Sequence, residues 1–171
     1  CESAPEYVLG PPGGWFTNSS RQLANGEIYT WGGRADGGKN AERHGYRYSP
    51  ETHTFSPMSE QGAPAPRFVP NLRWLDDRLL VCGGFVQSGE ILATGGFYDP
   101  ATDTWTPMTP RSDARLFESS HSVVRAGERM VVWNHSYAEG AVYDLATGTW
   151  TELCRAHSMP ASNDGASADW T

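Results

Sequence analysis

The residues with the clearest potential for binding chemistry are arginines that recur along the chain. Arg67, Arg111 or Arg115, and Arg155 each follow an aromatic residue after a short interval. A guanidinium presents paired N–H donors that match a carboxylate or a phosphate, so arginines that converge around a central channel could grip an acidic ligand. Each arginine could instead tie its own loop to neighbouring structure. The sequence leaves both interpretations open.

A second group of candidates comes from polar and aromatic segments between apolar runs. The longest charged segment spans residues 34–44 and is either a recognition loop or a solvent-exposed loop without a binding role. Its candidate binding residues are Arg34, Asp36, Lys39, Arg43 and His44. Phe85 and Tyr137, together with Trp15, could stack on sugars, and His135 and His157 are further polar candidates.

Residue types and spacings give little support for catalysis. The five histidines are scattered, without His-x-x-x-His or Cys-x-x-Cys spacing for a metal. No Gly-x-Ser-x-Gly nucleophile elbow occurs, and the paired glycines end strands instead of opening helices over a phosphate. We therefore expect no catalytic residue, no metal site, no cofactor and no enzymatic activity.

The elements that must position these residues come from an internal repeat. An apolar segment ends in two small residues, then a tyrosine follows, and a second aromatic residue lies seven positions after the tyrosine. The small residues are the glycine pairs Gly32-Gly33 and Gly83-Gly84; the third copy departs from the pattern, because Asn134-His135 replaces the pair. The aromatic pairs are Tyr48 and Phe55, Tyr98 and Trp105, and Tyr143 and Trp150. Three copies of about 45 to 50 residues are present.

Turn chemistry and alternation predict that each copy is a four-stranded antiparallel meander. In the second copy we expect strands at 71–75, 78–82, 95–98 and 104–107. Asp76-Asp77 is typical of a tight turn, and so is the Pro100-Ala101-Thr102-Asp103 segment. The glycine pair allows the chain to leave the sheet through positive φ or a close backbone approach. Each sheet then has two apolar faces that only neighbouring sheets can cover.

These motifs resemble kelch repeats, each of which forms one blade of a β-propeller. The resemblance runs from about Gly14 to the end and implies an all-β fold, a partial propeller of about three four-stranded antiparallel kelch-type blades. It also implies a structural role for some arginines, which are common at this point of the repeat. The expected units are an extension at 1–13, blades at 14–60, 61–110 and 111–155, and the start of a further blade at 156–171.

Meander topology predicts where a ligand would bind. In each blade, the connection between strands two and three and the connection to the next blade share one face. These connections are long and varied, whereas the turns on the other face are short. The expected long connections are 34–45, 60–67, 85–92, 109–115, 135–140 and 155–162.

The length of the chain predicts partners that complete the propeller, and its charge argues against nucleic acid as a partner. Propellers typically close with four to eight blades, so we expect further blades from a longer chain, a second copy or another subunit. The net charge of −7 excludes a basic nucleic-acid surface, and no apolar run approaches the roughly 18 residues of a membrane span. Cys1 fits the lipidated start of an exported or cell-envelope lipoprotein, but a cut from a longer chain would also begin in this way.

The leading functional hypothesis is a non-catalytic scaffold that recognises protein, peptide or glycan through the long-loop face. Some kelch-type propellers are sugar isomerases or oxidases, so a carbohydrate-active enzyme is one alternative. Cys82 lies in an apolar run and is a poor match for the Tyr–Cys crosslink of such oxidases. A second alternative is a structural component of a larger assembly.

Overall fold

The computed structural model describes residues 20–34, 40–118 and 121–153. In these residues the chain forms three four-stranded antiparallel sheets and one short 3₁₀ helix. Blade 1 consists of β1 (Ser20–Ala24), β2 (Glu27–Trp31), β3 (Gly45–Ser49) and β4 (Thr54–Pro57). Blade 2 consists of β5 (Asn71–Leu75), β6 (Arg78–Cys82), β7 (Gly95–Asp99) and β8 (Thr104–Met108). Blade 3 consists of β9 (His121–Ala126), β10 (Arg129–Asn134), β11 (Glu139–Asp144) and β12 (Thr149–Glu152).

The strand order confirms the predicted fold class. Each sheet is a simple meander in which every strand pairs with its sequence neighbour, as in β5-β6-β7-β8. The first strands of the blades lie side by side, since β1 contacts β5 and β5 contacts β9. The protein is therefore an all-β partial propeller with three four-stranded antiparallel blades. No helix in the described part of the chain has the length and hydropathy to cross a membrane.

Short turns with positive φ close the hairpins on one face of the molecule. Asn25 and Gly26 have φ of 52° and 75°, and Asp76 has φ of 53°. Asn, Asp and Gly tolerate this left-handed region, which explains the tight connections. In blade 3 the corresponding turn is Gly127-Glu128. Ala126 still pairs with Arg129 across this turn.

The blades pack through two separate hydrophobic cores, which we call the first seam (blades 1 and 2) and the second seam (blades 2 and 3). The first seam contains Tyr29, Trp31, Met58, Leu72, Leu79, Val81, Tyr98 and Trp105. The second contains Leu75, Leu80, Cys82, Ala93, Phe97, Met108, Leu116, Phe117, Val123, Met130, Val132, Ala141 and Tyr143. Alternate residues of blade 2 thus face opposite neighbours, as the period of two requires.

The repeated tyrosine and its aromatic partner meet in every blade. Their ring centroids lie 4.7 Å apart for Tyr48–Phe55, 5.1 Å for Tyr98–Trp105 and 4.9 Å for Tyr143–Trp150. The two tryptophans also hold the connector from the preceding blade. Trp105 Nε1 donates to the Ser59 carbonyl at 2.7 Å and Trp150 Nε1 donates to the Thr109 carbonyl at 2.8 Å. Each closing tryptophan therefore binds its blade to the segment that leads into it.

The glycine pairs end their strands with positive φ and close backbone approach. Gly32 and Gly33 have φ of 71° and 89°, and Gly83 and Gly84 have φ of 67° and 84°. A Cβ at Gly32 would lie 2.8 Å from the Arg67 carbonyl oxygen, and one at Gly84 would lie 2.5 Å from that of Phe68. Both physical reasons expected for glycine are therefore present at these strand ends.

Candidate functional site

The long-loop face is formed by the β2–β3, β6–β7 and β10–β11 connections and by the connectors between blades. It carries most of the large apolar side chains that are exposed in the described residues. These side chains are Val69, Phe85, Tyr137 and Leu153, with exposed fractions between 37% and 50%. The remaining one, Leu23, lies in β1, away from the long-loop face.

On blade 2, an apolar patch forms where the connector meets the β6–β7 loop. Phe68 and Phe85 exchange backbone hydrogen bonds of 2.8 and 3.1 Å, and their ring centroids lie 5.6 Å apart. Val69 follows with φ of 46°, which is strained for a β-branched residue, and its side chain is half exposed. This ladder therefore holds Val69 and Phe85 on the surface of the face.

Arg67 is buried in the protein and is not presented to a ligand. Its side chain is 0% exposed and its guanidinium donates to the carbonyl oxygens of Ala65, Gly83 and Thr94 at 2.7–2.9 Å. It also lies 5.9 Å from the centroid of the Trp31 ring. Burial lowers the pKa of Arg67 to about 10, so the group stays charged at neutral pH. Arg67 thus joins its connector to blade 2, in line with the structural alternative.

The charged loop of blade 1 is organised by Glu60 from the connector. His44 Nδ1 lies 2.7 Å from Glu60 Oε1, and Arg43 Nη2 donates to the Glu60 carbonyl at 2.8 Å. Glu42 adds a second carboxylate 3.3 Å from His44 Nε2. The predicted residue Arg34 is partly buried at the start of this loop. Asp36 and Lys39 lie outside the described residues.

Blade 3 presents a cluster of polar and aromatic side chains on the same face. The Tyr137 hydroxyl donates to a carboxylate oxygen of Glu118, and this hydrogen bond raises the pKa of the tyrosine. Arg115 lies 5.8 Å from the centroid of the Tyr137 ring and 3.8 Å from Glu139. We call these four residues the blade 3 cluster. It contains two residues predicted from sequence and two carboxylates that were not.

His135 lies in a connection that is shorter than expected. His135 Nε2 is 2.8 Å from the Ser122 hydroxyl. The β10–β11 connection was expected to span 135–140, but it is a four-residue turn between Asn134 and Glu139. Asn134 Oδ1 accepts hydrogen bonds from the backbone N–H groups of Ser136 and Tyr137 at 2.9 and 3.3 Å, which tightens the turn.

His121, which was not a candidate, is enclosed where blade 3 meets blade 2. Its Nδ1 lies 3.0 Å from the Glu118 carbonyl oxygen, and its ring contacts Phe117 edge-on at 5.8 Å. Nε2 is buried and has no hydrogen-bond partner among the described residues. Burial lowers the pKa of His121 below its usual 6.5. The imidazole is therefore neutral at neutral pH.

Arg111 and Arg115 line one cleft of about 290 Å³ at the outer rim of the face. Arg111 Nη2 donates to Glu152 Oε1 at 2.7 Å, and the Arg111 guanidinium lies 5.3 Å from the centroid of the Trp150 ring. Arg67 does not line this cleft, so the recurring arginines do not act as one set. The predicted Arg155 and His157, like Trp15, Cys1 and Cys154, lie outside the described residues.

Sequence reasoning missed the carboxylates that engage the predicted residues. Glu60, Glu118, Glu139 and Glu152 each lie at a strand end or connector on the long-loop face. Their common signal is position, because the meander brings these ends to one side. In the described residues, no group of three or more His, Cys, Asp or Glu side chains could hold a metal ion.

The three blades and the long-loop face define a β-propeller-type protein. Comparisons with known proteins support this fold and give no information on function. No family model matches the chain, and no curated protein sequence matches it significantly. Among solved structures, the one titled "Structure of YjhT" superposes with a TM-score of 0.62 at 15% identity. The match covers 84% of this chain and 53% of that one, so the chain spans about half of that structure's length.

Proposed function

We propose that this protein is a kelch-type propeller module that recognises a protein, peptide or glycan through its long-loop face, without catalysis. The observation that carries the proposal is the concentration of exposed apolar and aromatic side chains on that face, including Val69, Phe85 and Tyr137. The opposite face ends in tight turns. Exposed aromatic residues on a rigid scaffold are typical anchors of binding surfaces.

Binding can be tested by screening the full chain against peptide and glycan arrays. Phe85→Ala and Tyr137→Ala should each weaken a positive interaction by about tenfold, because anchor side chains carry most of an interface's binding energy. Leu23→Ala is the matched control, since it shortens an exposed apolar side chain away from the face. Binding that is insensitive to both face variants, or the absence of any array ligand, would contradict the proposal.

A carbohydrate-active enzyme is the second candidate, and the Tyr137–Glu118 hydrogen bond favours it. A tyrosine hydroxyl that donates to a carboxylate can pass its proton to it, as general acid–base catalysis requires. The test is to incubate the full chain with reducing sugars and to follow their isomerisation or oxidation by NMR. Activity that Tyr137→Phe and Glu118→Gln abolish would replace the binding proposal, whereas unchanged sugars with the wild-type protein would remove the enzyme hypothesis.

We also propose that further blades cover the open sides of blades 1 and 3. Leu23 pairs with Ile28 as Trp74 pairs with Leu79. Trp74 packs on Tyr29 of the preceding blade at 5.2 Å, whereas Leu23 is 65% exposed. These blades would come from a longer chain, a second copy or another subunit. Native mass spectrometry tests sharing between copies, because a lone 18.7 kDa species would exclude it.

A further inference from the structure

The cleft at the outer rim of the long-loop face has the features of a built site. It lies between the connector at 109–115 and the ends of β11 and β12. Arg111 forms its inner wall, and only 9% of the Arg111 side chain is exposed. The backbone N–H of Arg111 donates to the Ala93 carbonyl at 3.1 Å. Because Trp150 holds the connector and also packs against the guanidinium, Arg111 is rigidly placed.

The hydrogen bonds of Arg111 are incomplete along one edge of the guanidinium. Nη2 donates to Glu152 Oε1 at 2.7 Å. Nε is closed to solvent and has no hydrogen-bond partner among the described residues. Nε and Nη2 share the edge that grips a carboxylate through two parallel hydrogen bonds. Glu152 thus satisfies half of an edge that is suited to two oxygen atoms.

Glu152 is a weakly held partner for so buried an arginine. Its side chain is 72% exposed, and exposed ion pairs are readily exchanged. The other carboxylates of the cleft are engaged by a different cation. Arg115 Nε lies 3.5 Å from Asp113, and Arg115 Nη2 lies 3.8 Å from Glu139. Glu152 is therefore the group that a ligand would have to displace from Arg111.

We propose that Arg111 is a carboxylate-binding residue for which Glu152 acts as an internal competitor. When Glu152 swings out and uncovers this edge of the guanidinium, a ligand carboxylate takes its place and accepts hydrogen bonds from both Nε and Nη2. The displaced Glu152 side chain turns to solvent, and one negative charge replaces another against the guanidinium. A phosphate dianion would add charge there. This inference rests on the proposed function, because it names the ligand chemistry at one part of the same face.

The experiment measures carboxylate binding to the full chain by calorimetry and NMR. One probe is a blocked peptide of alternating glycine and glutamate, with glutamine in place of glutamate as its control. The other is glucuronate, with glucose as its control. Binding of the peptide or the uronate, each over its neutral control, supports the proposal and identifies the source of the carboxylate. Failure of both, in wild type and in Glu152→Gln, overturns it.

Three variants make the test specific. Glu152→Gln removes the competitor and should raise affinity by about two- to fivefold, as expected for an exposed ion pair. Glu90→Gln, an exposed residue of the β6–β7 loop, removes the same charge outside the cleft and should change nothing. Arg111→Lys keeps the charge but loses the paired donors and should lower affinity by about tenfold. An equal gain in both glutamine variants, or none in Glu152→Gln, overturns the proposal.

The outcome separates this inference from the broader function. Array ligands that depend on Phe85 and Tyr137, together with failure of both carboxylate probes, would overturn the carboxylate site and leave the proposed function standing. If nothing binds, both proposals fail. Because Glu152 is exposed, a gain of affinity in Glu152→Gln cannot result from misfolding.

Discussion

The two seams between blades differ in which side donates the hydrogen bond that joins the connector to the end of a strand. In the first seam, the connector supplies the donor, because Arg67 reaches up from it to the Gly83 carbonyl at the end of β6. In the second, the strand end supplies the donor, because Asn134 Nδ2 at the end of β10 donates to the Arg115 carbonyl of the connector at 3.0 Å. The loss of the glycine pair in blade 3 is thus matched by a change in which side provides the hydrogen bond.

The seams also differ at the end that lies near the short hairpin turns. Trp74 fills the first seam by packing against Tyr29. The corresponding residue of blade 3 is Arg125, which forms an ion pair with Asp76 and lines an open cleft of about 270 Å³. At the end near the long-loop face, Leu116 and Phe117 of the 3₁₀ helix (Ala114–Phe117) are buried in the second seam. The repeat therefore prescribes the strands and closing aromatics, while each connector determines how its seam is completed.

The largest effect is expected at the glycine pair of the first seam. Gly84→Ala should lower the free energy of unfolding by about 4 kcal/mol, since it combines a left-handed backbone with a methyl group 2.5 Å from a carbonyl oxygen. Gly89→Ala is the control, because its φ is 85° but no atom lies within 4 Å of the added methyl. Equal losses in urea unfolding would show that backbone conformation alone, and not the seam, requires glycine at position 84.

The second-largest loss of stability is expected when the hydrogen-bond donor of the first connector, Arg67, is removed. Arg67→Met removes the side-chain donor to the carbonyls of Gly83 and Thr94, of which Thr94 keeps the Gly83 N–H as a donor at 3.2 Å. We expect a loss of about 3 kcal/mol, partly offset because a charge is no longer buried. Arg73→Met, on a partly buried arginine of β5, is the matched control. Chemical denaturation measures both, and wild-type stability in Arg67→Met would contradict the structural role.

The strand-end donor of the second seam should matter less. Asn134→Ala removes the bond to Arg115 and both bonds that tighten the turn, at a cost of about 2 kcal/mol. The amide protons of Ser136 and Tyr137 should then exchange faster in NMR measurements. If the loss exceeds that of Arg67→Met, the ranking of the two seams is wrong.

The smallest effect is a pH dependence located in the second seam. The folded-state pKa of His121 is lowered by burial, so the unfolded chain binds the proton more tightly. Its contribution to stability is therefore complete above the unfolded value of about 6.5 and is lost as the pH falls through that value. His121→Asn should reduce the fall in melting temperature that the wild-type protein shows between pH 7.5 and pH 5.5. A slope that His121→Asn leaves unchanged would contradict a buried, neutral imidazole.

Local patterns predicted the strands and turns well. The second copy was expected to have strands at 71–75 and 78–82, and β5 and β6 have these bounds. Asp76 and Asp103 lie in the two segments that were expected to be turns, and both adopt positive φ. These features depend on residue type and on neighbours a few positions away, so a single sequence contains the information.

Partners across the seams could not be read in this way. Arg67 finds its acceptor 16 residues away, and Arg111 finds Glu152 41 residues away. The arginines looked alike in sequence, yet Arg67 is buried and Arg115 is 58% exposed. Burial depends on which loops meet, and that follows from the packing of whole blades.

By itself, the sequence determined a repeated all-β meander with glycines at strand ends and an aromatic closure in each blade. Short-range backbone preferences and the period of two along a strand are sufficient for these features. Only the tertiary structure decided that Arg67 is buried on backbone carbonyls, that Glu118 holds Tyr137, and that Glu152 pairs with Arg111. The reason is that hydrogen-bond partners are chosen by distance in space, and loops far apart in the chain come together only when the blades pack.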